Sequence, residues 1–218
     1  MSGSTDSYPL LILGTRTLAE EVADIVSDGT EYHVAGFVEN MNRDRCEAPL
    51  DGLPVYWIDD VHQFSGTHFA VCALGTTRRF RFTAEAAERG LRFATIVHPL
   101  ARVSRRAVVG EGSVLGPGAI VGTRSQVGKH VFVNRGALIG HHTRIGDHVS
   151  VMPGANIAGN CVVGDRCYIG MGAAVIDNLE IGNDSIVGAG AVVTKNVPAR
   201  VQVVGVPARI VRHDVEGR

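Results

Sequence analysis

The sequence predicts two domains in series. A small α/β domain with a parallel, Rossmann-like sheet covers residues 1–96, and a parallel β-helix with a C-terminal tail covers residues 97–218. In the first half, short apolar runs alternate with aliphatic residues at helical spacing. From Val97 to Val193, a Val, Ile or Leu recurs at every sixth position without an insertion. That period fits neither an α-helix nor a coiled coil.

The first half contains the elements of an open α/β fold. Apolar runs predict strands, glycine and charged positions predict the turns, and aliphatic spacing predicts the helices. We expect strands at 10–13, 34–38 and 69–74, a turn at Asp51-Gly52 with a short strand within 50–57, and helices at about 18–26 and 78–89. Residues 93–97 are expected to lead into the β-helix. Strand and helix alternate, so the sheet is expected to be parallel, with its turns at Gly14 and Gly75.

The second half consists of 17 blocks of six residues. The first place of each block is aliphatic, the fifth is small or aliphatic, and the second is often glycine. Each block therefore predicts one short strand and one tight corner. Three blocks close a triangular coil, and stacked coils pair as parallel strands roughly 4.8 Å apart. The low aromatic content of 6% agrees with a core of small and branched side chains.

Composition excludes several classes of protein. The net charge is −1, so no basic field favours nucleic acid. No apolar run approaches the roughly 20 residues that span a bilayer, so no membrane span is expected. Residues 1–7 are polar and lack an export signal. The four cysteines form no CxxC pair, which favours a reducing cytoplasm; they are Cys46, Cys72, Cys161 and Cys167.

The repeat resembles that of the hexapeptide acyltransferases, which implies a left-handed parallel β-helix. The tail segment Gly205–Arg209 resembles their Gly-x-Pro-Ala-Lys/Arg motif. The α/β domain, joined through Ile96–Pro99, extends the resemblance to the bacterial sugar-nucleotide acetyltransferases. These include the 4-amino-sugar N-acetyltransferases and the sialic acid O-acetyltransferase-like proteins. The resemblance implies acetyl-CoA as cosubstrate, a homotrimer, a nucleotide sugar held by the small domain, and a role in cell-surface glycan (O-antigen) biosynthesis.

The acceptor site is expected at the carboxyl ends of the parallel strands, where open sheets bind their ligands. The candidate residues that follow these strands are Gly14, Thr15, Arg16, Glu39, Asn40, Gly75 and Thr76. The turn at Gly14 lacks the later glycines of a full dinucleotide fingerprint, and Arg16 offers charge there instead. Arg78, Arg79 and Arg81 begin the next helix, either as a solvated helix start or with one of them on the diphosphate.

His141 is the candidate general base. The stretch Gly136–His141, followed by Ile145-Gly146, resembles the segment that carries the catalytic histidine of these enzymes. Asn134 matches a polar position of the family, and His142 adjoins the base, so both are assigned to the acceptor. A neutral imidazole takes a proton from the attacking acceptor at pH 7. Gly159 lies 18 residues on, at the same corner one coil away, where its N–H is placed to stabilise the oxyanion.

Coenzyme A is expected in a groove between two β-helices. One wall is the column of His141, Gly159, Asp177 and Lys195; the other is Met171 and Ala189 of a neighbouring chain. Lys195 and Arg209 are the candidate phosphate ligands. No metal is expected.

Four alternatives stay open at this point. The acceptor is an amine or a hydroxyl, and we favour the amine of a nucleotide-linked 4-amino-4,6-dideoxy sugar over sugar or sialic acid O-acetylation. A zinc site formed between subunits by His130, His142 and His148 would indicate a carbonic-anhydrase-like protein. Cys161 or Cys167 would be needed for a covalent mechanism, but the fifth place points into the core. A non-catalytic scaffold would bind no acetyl-CoA.

Overall fold

The computed structural model describes residues 7–218. Residues 1–6 lie outside the described residues; they are the start of the predicted first domain and make up most of the polar segment 1–7. The first unit is a five-stranded sheet in the order β3-β2-β1-β4-β5, with every pair parallel. Its strands are β1 (Tyr8–Leu13), β2 (Tyr32–Glu39), β3 (Val55–Trp57), β4 (Phe69–Cys72) and β5 (Arg92–Phe93). The strand order reverses between β1 and β4, which places a ligand crevice at their carboxyl ends.

Two α-helices cover the sheet. Helix α1 (Thr17–Ser27) buries Ala19, Val22, Ile25 and Val26, at the predicted spacing. Helix α2 (Phe80–Glu88) follows β4 and is preceded by a 3₁₀ turn at Thr77–Arg79. Two more 3₁₀ segments span Arg43–Glu47 and Ile58–Phe64. Within residues 50–57 the structure has the predicted turn and short strand: Asp51 and Gly52 form the turn, with φ of 48° and 76°, and the strand is β3.

The segment 93–97, which is expected from the sequence to lead into the β-helix, is divided between two sheets. The N–H of Ala94 donates to Ala70 of the first sheet, whereas the N–H of Ile96 donates to Ser113 of the β-helix. The chain therefore changes sheets between Phe93 and Ile96, and the predicted division between residues 96 and 97 falls inside the first strand of the β-helix.

Seventeen two-residue strands form the β-helix, and residues 18 apart pair in parallel. The first face contains β6 (Ile96–Val97), β9 (Val114–Leu115), β12 (Phe132–Val133), β15 (Ser150–Val151), β18 (Tyr168–Ile169) and β21 (Ile186–Val187). The second face contains β7 (Arg102–Val103), β10 (Ile120–Val121), β13 (Leu138–Ile139), β16 (Asn156–Ile157), β19 (Ala174–Val175) and β22 (Val192–Val193). The third face contains β8 (Val108–Val109), β11 (Gln126–Val127), β14 (Arg144–Ile145), β17 (Val162–Val163) and β20 (Glu180–Ile181).

We name the corners by the faces they join. The first corner joins the first and second faces, the second corner joins the second and third, and the third corner joins the third and first. The last coil is two residues shorter, because Ile186 pairs with Gln202. The chain then ends the first face with β23 (Gln202–Val204) and the antiparallel β24 (Arg209–Arg212).

The core of the β-helix follows the six-residue period. Every first-place residue from Leu115 to Val193 is buried, and only the open first coil leaves Val97, Val103 and Val109 partly exposed. The polar residues at the fifth place have a shared role, since their side chains donate to a corner carbonyl of the next coil. Ser113, Ser125, Thr143 and Ser185 do so at 2.6–2.9 Å, and Cys161 and Cys167 do so through sulfur. Burial raises the pKa of Cys167 to about 12, which argues against a cysteine nucleophile.

The α/β domain packs on the first face. The outward residues Val114, Phe132 and Ser150 are buried there, whereas Ile120 on the second face and Gln126 on the third are exposed. Arg79 joins the two units: its guanidinium, 1% exposed, donates to the carbonyls of Leu74, Thr76, His130, His148 and Val149 and to the Ser150 hydroxyl.

Arg79 is therefore not a phosphate ligand. All of its N–H groups are already used inside the protein, and burial lowers its pKa to about 10, so the cation persists at neutral pH. The sequence hypothesis that any of the three arginines meets a diphosphate is wrong for Arg79. Arg78 and Arg81 are exposed.

Candidate active site

His141 lies exposed on the second corner, with its ring over a bare glycine. A Cβ added to Gly159 would be 2.5 Å from Cε1 and 2.6 Å from Nε2 of the His141 ring. The 18-residue spacing predicts this neighbour, and the structure brings the two residues into contact. A side chain at position 159 would displace the imidazole, so glycine is required here by close approach.

The backbone N–H of Gly159 is available to a ligand. Within residues 7–218 it has no hydrogen-bond acceptor. On the third corner, the N–H at the equivalent place is capped by a side chain of the next coil. These bonds join Lys129 to Asp147, Asp147 to Asp165, and Asp165 to Asn183, at 2.7–2.9 Å. The third corner thus uses this backbone N–H in three hydrogen bonds, whereas on the second corner the N–H of Gly159 has no acceptor among residues 7–218.

His142 is the orienting partner that the sequence did not reveal. Its Nδ1 lies 3.1 Å from Nδ1 of His141, and the two rings are nearly perpendicular, at 84°. One of these nitrogens must donate and the other accept. When His141 donates through Nδ1–H, its Nε2 is unprotonated and able to accept a proton. The assignment of His142 to the acceptor stays a prediction.

The residues predicted to form one wall of the coenzyme groove lie on the second corner in successive coils. Lys195 lies three coils from His141, roughly 14 Å along the axis. Lys195 and Arg209 line one cavity of about 400 Å³ near the C-terminal end. Asp177, between Gly159 and Lys195, accepts a hydrogen bond from the side chain of the adjacent Asn178. Met171, 58% exposed, and Ala189 lie on the first corner, as the opposite wall requires.

The predicted acceptor residues gather at the carboxyl ends of β1 and β2. Gly14 has a φ of 125°, and a Cβ there would be 3.3 Å from the Ala73 carbonyl oxygen. The Thr15 hydroxyl donates to the Glu39 carboxylate, which also accepts from the backbone amides of residues 40–42. Burial alone would raise the pKa of Glu39, but these hydrogen bonds hold it below its ordinary value. Glu39 therefore stays ionised and fixes the turn after β2.

Arg45 and Glu85 complete this cluster and were not found from the sequence. Arg45 donates to the carbonyl and hydroxyl oxygens of Thr15 at 2.9 and 3.2 Å. Glu85 accepts from the Asn40 amide at 2.8 Å. Neither position belongs to a motif or follows a strand, so no local signal indicates it.

The remaining candidates for binding the acceptor differ in whether they already form hydrogen bonds within the protein. Arg16 is exposed, and its side chain has no partner within residues 7–218. The Gly75 carbonyl accepts from the Ser150 hydroxyl at 3.3 Å. The Thr76 hydroxyl accepts from the N–H of Arg78 and donates to the backbone of Arg218, because the tail returns along the β-helix to this loop.

The two halves of the predicted site lie on different sides of one chain. The α/β domain covers the first face, and the second corner joins the other two faces, so His141 is opposite that domain. Asn134 is on the first corner, where its Oδ1 accepts from the N–H of Arg135. Arg135 in turn contacts Glu21 of α1 at 2.9 Å. One chain therefore does not bring Asn134 or the acceptor cluster to its own His141.

The three histidines of the zinc alternative do not form a cluster. His130 and His148 stack at the domain interface with ring centroids 4.9 Å apart, whereas His142 contacts His141 on another corner. Between residues 7 and 218, no group of three or more His, Cys, Asp or Glu side chains is placed to hold a metal ion.

Known proteins share both the repeat and the complete fold. A family model described as bacterial transferase hexapeptide (six repeats) matches residues 142–176 and 160–195. PerB from Caulobacter crescentus, solved in complex with CoA and GDP-perosamine, is 31% identical, with a TM-score of 0.84 over 93% of this chain and 96% of that chain. The chain belongs to the hexapeptide-repeat sugar acetyltransferases. The prediction of a small α/β domain followed by a left-handed parallel β-helix is confirmed.

Further members of this acetyltransferase family match as well. A C. crescentus perosamine N-acetyltransferase in which a histidine is replaced by asparagine, with CoA and GDP-perosamine bound, is 30% identical with a TM-score of 0.86 over 93% of this chain and 96% of that chain. The acetyltransferase domain of PglB from Neisseria gonorrhoeae FA1090, in complex with acetyl coenzyme A, is 28% identical with a TM-score of 0.86 over 94% of this chain and all of that chain. Comparison with curated protein sequences finds no match. No helix within residues 7–218 combines the length and apolar character needed to cross a membrane.

Proposed function

We propose that this acetyltransferase transfers the acetyl group of acetyl-CoA to the amine of a nucleotide-linked 4-amino-4,6-dideoxy sugar. The observation that carries the proposal is the likeness over nearly the whole chain to the enzyme solved with CoA and GDP-perosamine. The local geometry agrees with it, because His141 lies against Gly159, whose N–H has no acceptor among residues 7–218. We further place the reaction in the cytoplasm, in the synthesis of cell-surface glycans.

The proposed reaction is direct transfer. The neutral amine attacks the thioester carbonyl, and Nε2 of His141 takes the proton that the new C–N bond makes acidic. Negative charge develops on the carbonyl oxygen, where the N–H of Gly159 donates to it. The C–S bond then breaks, and the thiolate of coenzyme A takes the proton back from the imidazolium. His142 accepts from Nδ1–H of His141 throughout and keeps Nε2 towards the acceptor.

We also propose that the functional unit is a homotrimer with its sites between chains. The support is topological: the acceptor cluster and the first corner lie on one side of a chain, and His141 lies on the other. A neighbour that brings its first corner and α/β domain to His141 would complete the site. Coenzyme A would run from His141 towards Lys195 and Arg209, along the second corner, with Met171 and Ala189 of the neighbour opposite.

The test is thiol release from acetyl-CoA with a panel of UDP-, GDP- and dTDP-linked 4-amino-4,6-dideoxy sugars, with the matching 4-hydroxy sugars and sialic acid as controls. We expect release with at least one amino sugar and none with its hydroxyl counterpart. Turnover of only the hydroxyl acceptors would replace the N-acetyltransferase with an O-acetyltransferase. Light scattering on the same sample checks the trimer, and full activity in a monomer would exclude it.

A further inference from the structure

A cationic cavity opens on the second corner just below His141. It has a volume of about 710 Å³, and three of the residues that line it are arginines: Arg102, Arg105 and Arg106. No carboxylate from residues 7–218 lines it. In a chain whose net charge is −1, this is a local concentration of positive charge.

The cavity is continuous with the catalytic corner. A Cβ added to Gly122, on its upper rim, would be 2.7 Å from the backbone N of His141. The N–H of His142 donates to the carbonyl of Thr123 at 2.9 Å. Arg105, Thr123 and His141 occupy the same place in consecutive coils, so Arg105 is roughly 10 Å from His141 along the axis.

The three arginines have no partners within residues 7–218. All are exposed, and none takes part in an ion pair there. Elsewhere on the β-helix, charges 18 residues apart neutralise each other, as Arg166 and Asp184 do at 2.7 Å. Like charges grouped without counter-ions repel one another, so a bound anion stabilises this arrangement.

We propose that this cavity binds the diphosphate of the acceptor, and the proposal rests on the function proposed above. The thioester and the acceptor must approach His141 from opposite directions. Lys195 and Arg209 lie on the C-terminal side, which assigns coenzyme A to that side. The acceptor then extends towards the first coils. In a 4-amino sugar, the amine on C4 and the diphosphate on C1 are on opposite sides of the pyranose ring. The diphosphate is therefore held about one ring beyond the histidine, where Arg105 and Arg106 offer planar donor pairs for phosphate oxygens.

The test compares two double variants of equal charge. Arg105→Gln with Arg106→Gln removes the cavity charge, and Arg144→Gln with Arg212→Gln removes two exposed arginines elsewhere that have no ion pair in the described chain. We expect the cavity variant to raise KM for the active nucleotide sugar by roughly 10- to 100-fold, with kcat and the Kd of acetyl-CoA retained. The control variant keeps all three values.

Three results would overturn the proposal. An unchanged acceptor KM would show that the cavity does not bind the acceptor. A raised Kd for acetyl-CoA would assign the arginines to the coenzyme phosphates. A cavity variant that no longer assembles would assign them to contacts with a second copy of the chain.

Inorganic pyrophosphate separates this proposal from the proposed function. Calorimetry is done with the Lys195→Gln, Arg209→Gln protein, so that the predicted coenzyme phosphate site does not contribute. We expect pyrophosphate binding that the added Arg105→Gln and Arg106→Gln substitutions abolish. If no sugar nucleotide is turned over but this binding is found, the proposed acceptor is wrong and the anion site stands. If the binding is absent or survives the substitutions, the anion site is wrong whatever the enzyme acetylates.

Discussion

His141 is the residue on which the proposed chemistry depends, and its surroundings define its role. The ring contacts a bare glycine on one side and His142 on the other. No carboxylate is hydrogen-bonded to it among the described residues, so the orienting partner is a second imidazole. A neutral imidazole fixes the tautomer through one hydrogen bond and adds no charge to stabilise the imidazolium.

Replacement of His141 by asparagine tests the general base. We expect turnover to fall by about 10²–10⁴-fold, with the dissociation constants of both ligands little changed, because asparagine keeps a polar side chain but takes no proton. Steady-state rates from pH 6 to 9 and calorimetry measure the two effects. His142→Asn is the control and should cost less, because it removes only an orienting contact. Near-normal turnover of the His141 variant across this pH range would exclude the assignment, and a larger loss at His142 would move the base to that residue.

The role of Gly159 is tested by substitutions that add a side chain next to the His141 ring. Gly159→Ala and Gly159→Val place a Cβ about where the His141 ring now lies, 2.5 Å from Cε1. We expect graded losses of turnover, larger for valine, since the imidazole is displaced and the oxyanion donor is covered. The melting temperature should change little, because the residue is at a corner rather than in the core. Normal turnover of the valine variant would show that Gly159 is not the donor.

Sequence reasoning predicts some contacts of the candidate site and misses others for a physical reason. The six-residue period places Gly159 over His141 because an 18-residue coil translates directly into a distance. No comparable rule applies to Arg79, which is buried although the nearby Arg78 and Arg81 are exposed. Its role depends on carbonyls of the β-helix some 50 to 70 residues later in the chain.

At the scale of elements, the interface between the α/β domain and the third corner contains a pH-sensitive pair. His130 and His148 stack at an angle of 10°, and Phe93 and Phe80 pack edge-on against them. Their Nδ1 atoms are buried without a hydrogen-bond partner in the described chain. Burial is the main cause that lowers the pKa of each ring to about 4. The Arg79 cation adds to the shift at both rings and His130 adds to it at His148, while Glu111 and Asp147 oppose it at His130.

This pair predicts loss of stability in mild acid. In the unfolded chain both rings have a pKa near 6.5, so they bind protons there before they do in the folded state. The contribution of these two rings to the free energy of unfolding is therefore greatest above about pH 6.5. It decreases as the pH drops from about 6.5 to about 4. Thermal unfolding between pH 8 and 4 measures this. The variant His130→Phe, His148→Phe should show a shallower pH slope in that window, and an identical slope would show that other groups cause it.

For the molecule as a whole, the sequence predicts architecture better than it predicts how the site is assembled. The six-residue repeat determines the coils, their corners and the columns of residues along each corner, because residues 18 apart pair in parallel. The α/β domain covers one particular face because its surface is complementary to that face of the β-helix. No short-range sequence pattern predicts this contact. That unpredicted contact with the first face is what places the acceptor cluster opposite His141 in the same chain.

A site shared between neighbouring chains predicts that two inactive variants restore each other. His141→Asn removes the base from one side of each site, and Arg16→Glu reverses the charge that the α/β domain contributes to the other. In every trimer that contains both chains, one of the three sites, about a third, combines an intact His141 with an intact neighbouring domain. Co-expression with different affinity tags, isolation of mixed trimers and thiol-release assays should recover about that share of activity. Mixing His141→Asn with Gly159→Val is the control and should recover nothing, since both residues lie on the second corner of the same chain. Recovery there, or none with Arg16→Glu, would place the whole site within one chain.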